Sequence, residues 1–333
     1  MTQRVLSGMR PTGRLHFGHL VGALDNWRML QDRYDCFFMV ADWHALMSEY
    51  ESPAGIETTV KENVADWIAC GVDPERSVIF RQSDVPEHLE LYMALSVITP
   101  LGWVERVPTY KEQLREVKGR TLATYGFLGY PILQAADILL YRAEVVPVGE
   151  DQVAHLELAR EIVRRFKNLY QRAPFPEPKA LLTKSPKLLG VDGRKMSKSY
   201  ENTISLSDSP ETIRKITQKM FTDPLRIKMT DPGHPESCNV CNYYKVFSPE
   251  RAKVVWEECR TAKRGCVENK KELAELLIET TEGIRKKRTE LLKEEGKIRD
   301  ILEKGRKKAK TVAAETMEEV RGLIGLGATL KRG

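Results

Sequence analysis

Short apolar runs alternate with amphipathic stretches along the first two hundred residues of the chain. Four compact apolar runs predict strands, at residues 4–9, 36–41, 77–81 and 144–148. Between them, apolar residues recur every three or four positions, which predicts helices at residues 17–30, 56–70, 89–98, 125–141 and from about 152 to 170. Strands that alternate with helices indicate βαβ units and a parallel sheet, whose ligands bind beyond the carboxyl ends of the strands.

The pattern changes after about Asp208, where it becomes almost entirely helical and rich in Lys, Glu and Arg. Residues 223–239 contain three prolines and a glycine, which predicts a long irregular connection. We therefore expect an α/β domain over residues 1–207 and an all-helical domain over residues 208–333, whose final helix can pack back on the first domain.

The charge balance bears on the class of partner. The 333 residues carry a formal net charge of +6, with basic clusters at residues 285–288 and 304–308. Such clusters suit either a nucleic-acid surface or a solvated helix face. No apolar run approaches the roughly 18–20 residues that span a bilayer, and residues 1–5 have no signal-peptide layout. We therefore expect a cytoplasmic protein without a membrane partner.

A glycine-rich turn follows the first predicted strand and ends in two histidines, His16 and His19. Gly8 and Gly13 allow the backbone to approach a ligand closely, and Gly18 opens a helix whose N-terminus favours negative charge. Two imidazoles three positions apart are expected on one helical face, where they can donate hydrogen bonds to phosphate. The alternative is an ordinary turn with surface histidines.

A second polar string lies about 180 residues further along, Asp192-Gly193-Arg194-Lys195-Met196-Ser197-Lys198-Ser199. Lys195 and Lys198 can hold a departing pyrophosphate, and Ser197 and Ser199 add hydrogen-bond donors. A generic basic loop is the alternative for this string alone. Both strings in one chain, in this order, resemble the HIGH and KMSKS signatures of class I aminoacyl-tRNA synthetases.

The resemblance extends over essentially the full length and is closest to the bacterial tryptophanyl-tRNA synthetases. It rests further on the strings Ala41-Asp42-Trp43-His44-Ala45, Leu133-Gln134-Ala135-Ala136-Asp137 and Val146-Pro147-Val148-Gly149-Glu150-Asp151-Gln152. It implies a Rossmann-like catalytic domain of the HUP type and a helical anticodon-binding domain. It also implies L-tryptophan, ATP with Mg²⁺ and tRNA(Trp) as ligands, a homodimer, and no role for DNA.

Asp137 is a carboxylate within an apolar predicted helix, and burying it is costly unless it has a partner. An indole N–H can only donate, so tryptophan recognition needs such an acceptor; the alternative is an Asp paired with a local donor. The resemblance also places Tyr130 and Gln134 at the substrate ammonium and Val146 and Val148 against the ring. Three further residues complete the expected amino-acid pocket: Leu6, Gly8 and His44.

The substrate carboxylate is itself the nucleophile in adenylate formation, so catalysis reduces to positioning and charge stabilisation at phosphorus. The resemblance implies that four residues are catalytic: His16, His19, Lys195 and Lys198. It implies ATP contacts for Met9, Arg10, Thr12, Gly18, His19, Gly149, Glu150, Asp151, Gln152, Lys195, Met196, Ser197, Lys198 and Ser199. Lys111 is expected to contact ATP phosphate or the acceptor end of tRNA, or to be a plain surface lysine.

Two departures keep alternatives open. Many bacterial relatives have Gln where this chain has Arg10, and some have Met where it has Gln134. Gln134 also resembles the tyrosine enzymes of the same fold, so tyrosine is the second substrate to consider. A nucleotidyltransferase that acts without tRNA is a third reading, although it would lack the basic helical domain.

Six cysteines in a cytoplasmic chain argue against a disulfide framework. Cys36 and Cys70 lie in apolar runs and are expected to be buried thiols. The other four, spaced C-x2-C-x17-C-x6-C, favour a four-thiolate metal site over scattered thiols: Cys238, Cys241, Cys259 and Cys266. A subset of bacterial tryptophanyl enzymes with a 4Fe–4S cluster resembles this region, but its last cysteine is Asn269 here. Cys241 would then supply the fourth thiolate, to iron–sulfur or to zinc.

Overall fold

Five parallel strands form a single sheet within the computed structural model, which describes residues 2–108, 123–182, 188–194, 196, 200–294 and 296–326. The order across the sheet is β3-β2-β1-β4-β5. The strands are β1 (Arg4–Met9), β2 (Asp35–Val40), β3 (Ser77–Arg81), β4 (Val145–Val148) and β5 (Lys179–Leu182). The α/β prediction is therefore confirmed.

The four predicted strands are present, with bounds that differ from the prediction by no more than one residue. β2 lies between two neighbours and is buried along nearly all its length, which explains its continuous apolar run. β5 escaped prediction because it is a four-residue edge strand whose end residues, Lys179 and Leu182, are exposed. It therefore lacks the apolar run by which a buried strand is recognised.

The helices cover both faces of the sheet and make up most of the chain after Ser209. Those before β5 are α1 (Phe17–His19), α2 (Asp25–Leu30), α3 (Asp42–Glu49), α4 (Ile56–Ala69), α5 (Glu87–Ile98), α6 (Leu101–Glu105), α7 (Tyr125–Leu128), α8 (Tyr130–Leu140) and α9 (Val153–Tyr170). Those after β5 are α10 (Pro210–Gln218), α11 (Asn239–Phe247), α12 (Pro249–Arg260), α13 (Cys266–Lys293) and α14 (Lys297–Ile324). None of the described helices is long and apolar enough to cross a bilayer.

Two predicted helices are interrupted. A π-helical stretch, Leu20–Leu24, separates α1 from α2 within predicted helix 17–30. Gly129 separates α7 from α8, and a Cβ there would lie 2.2 Å from the Tyr92 hydroxyl oxygen. The absence of a side chain at Gly129 therefore lets α5 pack close to the start of α8, the helix that carries Asp137.

The C-terminal helices pack against the sheet domain. α13 lies on α4, and α14 lies along the edge strand β3. Gly305 of α14 makes this approach possible, because a Cβ there would lie 1.7 Å from the Ile79 carbonyl oxygen. The final helix thus covers one edge of the sheet.

Candidate active site

A cavity of about 400 Å³ lies beyond the carboxyl ends of β1, β2 and β4. β1 is central in the sheet, and the strand order reverses there: β2 and β3 lie on one side of it, and β4 and β5, which come later in the chain, lie on the other. Such a reversal point is where open parallel sheets bind their ligands. The walls include the apolar side chains of Leu6, Met39, Val146 and Val148.

The cavity brings together many of the residues that the sequence predicted. Those that line it are Leu6, Gly8, Arg10, His44, Tyr130, Gln134, Asp137, Val146, Val148, Gly149 and Gln152. Others lie outside its lining: Met9, Thr12, His16, Gly18, His19, Glu150, Asp151 and Met196. Three polar lining residues were not anticipated: Ser7, Asn26 and His155.

Gly8 is required by packing between strands. A Cβ at this position would lie 2.7 Å from the Met39 carbonyl oxygen. The glycine therefore permits the close approach of β1 and β2 directly beneath the cavity.

Asp137 is buried at the cavity and accepts hydrogen bonds from three side chains. His44 Nε2 lies 2.7 Å from Oδ2, and Gln82 Nε2 and His88 Nδ1 each lie 2.7 Å from Oδ1. Burial alone would raise the pKa of Asp137, but the charge and hydrogen bond of His44 and the hydrogen bond of His88 lower it. The cavity therefore presents an ionised acceptor together with the apolar side chains of its wall.

The partners of Asp137 come from separate parts of the chain. His44 belongs to α3, Gln82 follows β3 and His88 belongs to α5. His88 Nε2 continues the network to the Tyr141 hydroxyl, at 2.7 Å. Sequence reasoning missed Gln82, His88 and Tyr141; the available signal was a histidine directly before predicted helix 89–98, which the structure begins earlier, at Glu87.

His155 lines the cavity and contacts Tyr130. Its Nε2 lies 3.1 Å from the Tyr130 hydroxyl. Burial, followed by the charge of nearby His44, lowers the pKa of His155 to about 4, so the ring is neutral at pH 7.

The two motif histidines lie close together, with ring centroids 3.8 Å apart. They do not share a helical face as predicted, because His16 precedes α1 in an extended conformation and only His19 is helical. The His16 backbone N–H donates to His19 Nδ1 at 3.2 Å. This local bond fixes the His19 ring at the start of the helix.

The second motif lies against the first where it can be described. A Cβ at Gly18 would be 3.3 Å from Met196 Sδ and 3.0 Å from the His16 ring. The chain after the motif also pairs with the first turn, since Leu206 N–H donates to Leu15 O at 2.9 Å. Other predicted site residues lie outside the described part of the chain: Lys111, Lys195, Ser197, Lys198 and Ser199.

Three of the four clustered cysteines are in contact. Hydrogen bonding with Cys241 lowers the pKa of Cys238 and of Cys259, while these contacts raise the pKa of Cys241. Cys266 begins α13 and is only partly buried. No group of three or more His, Cys, Asp or Glu among the described residues is arranged to hold a metal ion. The predicted four-thiolate arrangement is therefore not assembled in this structure.

Comparison with known proteins identifies the family. The family described as tRNA synthetases class I (W and Y) matches residues 2–282. The tryptophan–tRNA ligase of Thermotoga maritima is 51% identical over 97% of this chain and 99% of its own length, and that of Aquifex aeolicus is 42% identical over 97% and 100%. The fold is also similar to the crystal structure of Campylobacter jejuni tryptophanyl-tRNA synthetase complexed with ADP and tryptophan, with a TM-score of 0.88. The two sequences are 35% identical, and the match covers 97% of this chain and 100% of that chain. The chain belongs to the class I tRNA synthetases of the tryptophan and tyrosine family, and within them to the tryptophan–tRNA ligases.

Proposed function

We propose that this protein activates L-tryptophan with ATP and transfers it to the 3′ end of tRNA(Trp). The observation that carries the proposal is Asp137, an ionised acceptor in a cavity that also offers apolar side chains. An indole ring needs apolar walls and one acceptor for its N–H, because that group donates only. Membership of the synthetase family supports three further ligands, ATP, Mg²⁺ and tRNA, and we expect the protein to act on them in the cytoplasm.

The remaining lining residues fit this amino acid. Leu6, Val146 and Val148 give the ring apolar contacts, and Gly8 leaves room for it above β1. Tyr130 and Gln134 line the cavity and lie one turn apart on α8, and we assign their oxygens to the substrate ammonium. Their placement supports the roles that the sequence resemblance implied.

Adenylate formation then follows from the position of the substrate carboxylate. One carboxylate oxygen attacks the α-phosphorus of ATP, the bond to the bridging oxygen breaks, and pyrophosphate leaves with the electron pair. We assign the phosphates to His16, Gly18 and His19, and the departing pyrophosphate to Lys195 and Lys198. Met196, a described residue of the second motif, lies near Gly18, which supports this assignment. Mg²⁺ would offset the charge of the phosphates.

The remaining ATP contacts are proposed on the same basis. Arg10, Gly149 and Gln152 line the cavity and can reach the nucleotide directly. Met9, Thr12, Glu150, Asp151, Ser197 and Ser199 keep the roles that the resemblance implied. The resulting aminoacyl-adenylate passes its acyl group to a ribose hydroxyl of the tRNA, with AMP as the leaving group.

We also propose a homodimer and place its interface on α5. This helix exposes Met93 and Val97 one turn apart, and Leu101 of α6 is also exposed. Exposed apolar side chains grouped in this way are typical of surfaces that another protein covers. Sedimentation of the purified protein tests this, with Val97→Glu expected to give a monomer.

Pyrophosphate exchange into ATP, assayed with each amino acid separately, tests the activity. We expect exchange with tryptophan alone, and loss of about two orders of magnitude in kcat/KM for Asp137→Asn because the ionised acceptor is gone. Exchange with tyrosine instead would overturn the substrate, and no exchange with any amino acid would overturn the activity.

An iron–sulfur or zinc site at the cysteines remains a finer prediction. The mutual contacts of Cys238, Cys241 and Cys259 support it, whereas the position of Cys266 does not. Metal analysis and the absorption spectrum of protein purified without oxygen test it. Bound iron or zinc that Cys241→Ser removes would support the site, and metal-free protein that is fully active would refute it.

A further inference from the structure

A chain of hydrogen bonds continues from Asp137 into the protein interior, away from the cavity. His88 Nδ1 lies 2.7 Å from Asp137 Oδ1, and His88 Nε2 lies 2.7 Å from the Tyr141 hydroxyl. His88 and Tyr141 are fully buried, and neither lines the cavity. They therefore act on a bound amino acid only through Asp137.

The number of hydrogen bonds to Asp137 limits what else it can accept. An ionised carboxylate offers about four lone-pair sites. His44, Gln82 and His88 occupy three of them. One acceptor site is left on a residue that lines the cavity, which suits a ligand with a single N–H donor.

The proton positions in this chain follow from the partners. The Asp137 carboxylate can only accept, so His88 Nδ1 carries the hydrogen. Burial, with the charges of Asp137 and Glu87, raises the pKa of Tyr141 well above its ordinary value, so its hydroxyl stays protonated. Among the described residues His88 is the hydrogen-bond partner of that hydroxyl. Tyr141 therefore donates to Nε2 and holds His88 in the neutral Nδ1–H tautomer.

The surroundings of His88 and Tyr141 are apolar, which favours this neutral arrangement. The Phe80 ring stacks on His88 with centroids 6.1 Å apart and contacts Tyr141 edge-on at 5.2 Å. Burying a cation in such surroundings would be costly. A neutral His88 instead supplies a directed donor that fixes the orientation of the carboxylate.

We propose that His88 and Tyr141 are positioning residues for amino-acid selection. They keep Asp137 ionised, oriented and with one acceptor site open, and so set the preference for an aromatic side chain that carries a ring N–H. The inference rests on the proposed function, in which Asp137 receives the indole N–H. Loss of the Tyr141 hydroxyl would leave Nε2 unsatisfied and remove one of the two hydrogen bonds that fix the His88 ring, so that its donation to Asp137 is less well directed.

The test compares L-tryptophan with 3-(3-benzothienyl)-L-alanine, in which sulfur replaces the ring N–H without much change of shape. Pyrophosphate exchange gives kcat and KM for each. For Tyr141→Phe we expect KM for tryptophan to rise about tenfold with little change in kcat, because one hydrogen bond is weakened in ground and transition states alike. Values for the sulfur analogue should hardly change, so the selectivity ratio falls about tenfold.

Three further variants separate positioning from simple destabilisation. His88→Leu should lose the selectivity, while His88→Asn, whose amide can still donate to Asp137, should retain part of it. Tyr244→Phe is the matched control, because it removes another buried hydroxyl that donates to a backbone carbonyl, Asn269 O at 3.2 Å. Its selectivity ratio should equal that of the original protein.

An unchanged ratio in folded Tyr141→Phe and His88→Leu would overturn the inference, as would an equal loss for both substrates. These outcomes differ from a failure of the proposed function. In that case the unmodified protein would not exchange pyrophosphate with tryptophan, or would not prefer it to the sulfur analogue.

Discussion

The ion pair between Arg288 of α13 and Asp66 of α4 joins the helical part of the chain to the sheet domain. Asp66 Oδ1 accepts from Arg288 Nε at 2.7 Å, and Asp66 is fully buried. Its other oxygen has no hydrogen-bond partner among the described residues. Replacing Arg288 with methionine keeps much of the side-chain volume and removes the charge, so it isolates the electrostatic part of this contact.

Burial raises the pKa of Asp66 to about 6, even though Arg288 and Arg14 lower it and only Glu62 adds to the rise. A raised pKa means that the folded state holds the proton more tightly than the unfolded chain. The stabilisation is therefore complete below about pH 4 and is lost as the pH rises through 6. The shift of about two units corresponds to roughly 3 kcal/mol.

Arg288→Met should consequently destabilise the protein in a pH-dependent manner. At pH 8 the ionised Asp66 would be buried without its cation, which costs about 3–5 kcal/mol. At pH 5 most Asp66 side chains are protonated, so we expect a loss of only about 1 kcal/mol. Asp66→Asn should recover most of the loss in the double variant.

Urea unfolding at pH 5 and pH 8 measures these free energies for the original protein, Arg288→Met, Asp66→Asn and the double variant. Glu62→Gln is the control, because Glu62 Oε1 lies 3.6 Å from Arg288 and is partly exposed, so its removal should cost less than about 1 kcal/mol. Equal losses for Arg288→Met at both pH values would refute the reasoning. So would a double variant no more stable than Arg288→Met alone.

Two further predictions concern packing and pH. Gly305→Ala should cost more than about 3 kcal/mol, because its Cβ would overlap the Ile79 carbonyl and the backbone of α14 or β3 would have to move. Gly283→Ala, with nothing within 4 Å, should gain about 0.5–1 kcal/mol. Equal effects in thermal unfolding would contradict this. Burial lowers the pKa of His155 to about 4, so its contribution is complete above about pH 6.5 and is lost as the pH falls through 4. His155→Asn should remove up to about 3 kcal/mol of that acid dependence, and an unchanged stability profile between pH 4 and 7 would argue against it.

The fold was predictable where burial imposes a pattern. β2 is covered on both faces, so its apolar run is continuous, and α9 has a clear helical periodicity up to Tyr170. The edge strand β5 carries no such pattern, because it is short and partly exposed. The π-helical stretch was also hidden, since one wider turn leaves the apolar spacing of predicted helix 17–30 almost unchanged.

The candidate site was predictable where residues are close in sequence. The histidine turn and the strings around Asp137 and Gly149 could be recognised because each forms a local motif. The partners of Asp137 lie 49 to 93 positions away, and nothing in the chain marks them as neighbours. His88 in particular is an ordinary helix residue until the fold brings it to Asp137.

The choice between tryptophan and tyrosine depends on these partners more than on Gln134. A phenol hydroxyl donates and accepts, so a buried phenol needs both an acceptor and a donor. Three donors already bond to Asp137: His44 Nε2, Gln82 Nε2 and His88 Nδ1. While Asp137 stays ionised, these donors are not available to a ligand. An indole N–H asks only for the acceptor site that remains. The hydrogen bonds behind the cavity therefore favour the donor-only ring, even though Gln134 resembles the tyrosine enzymes.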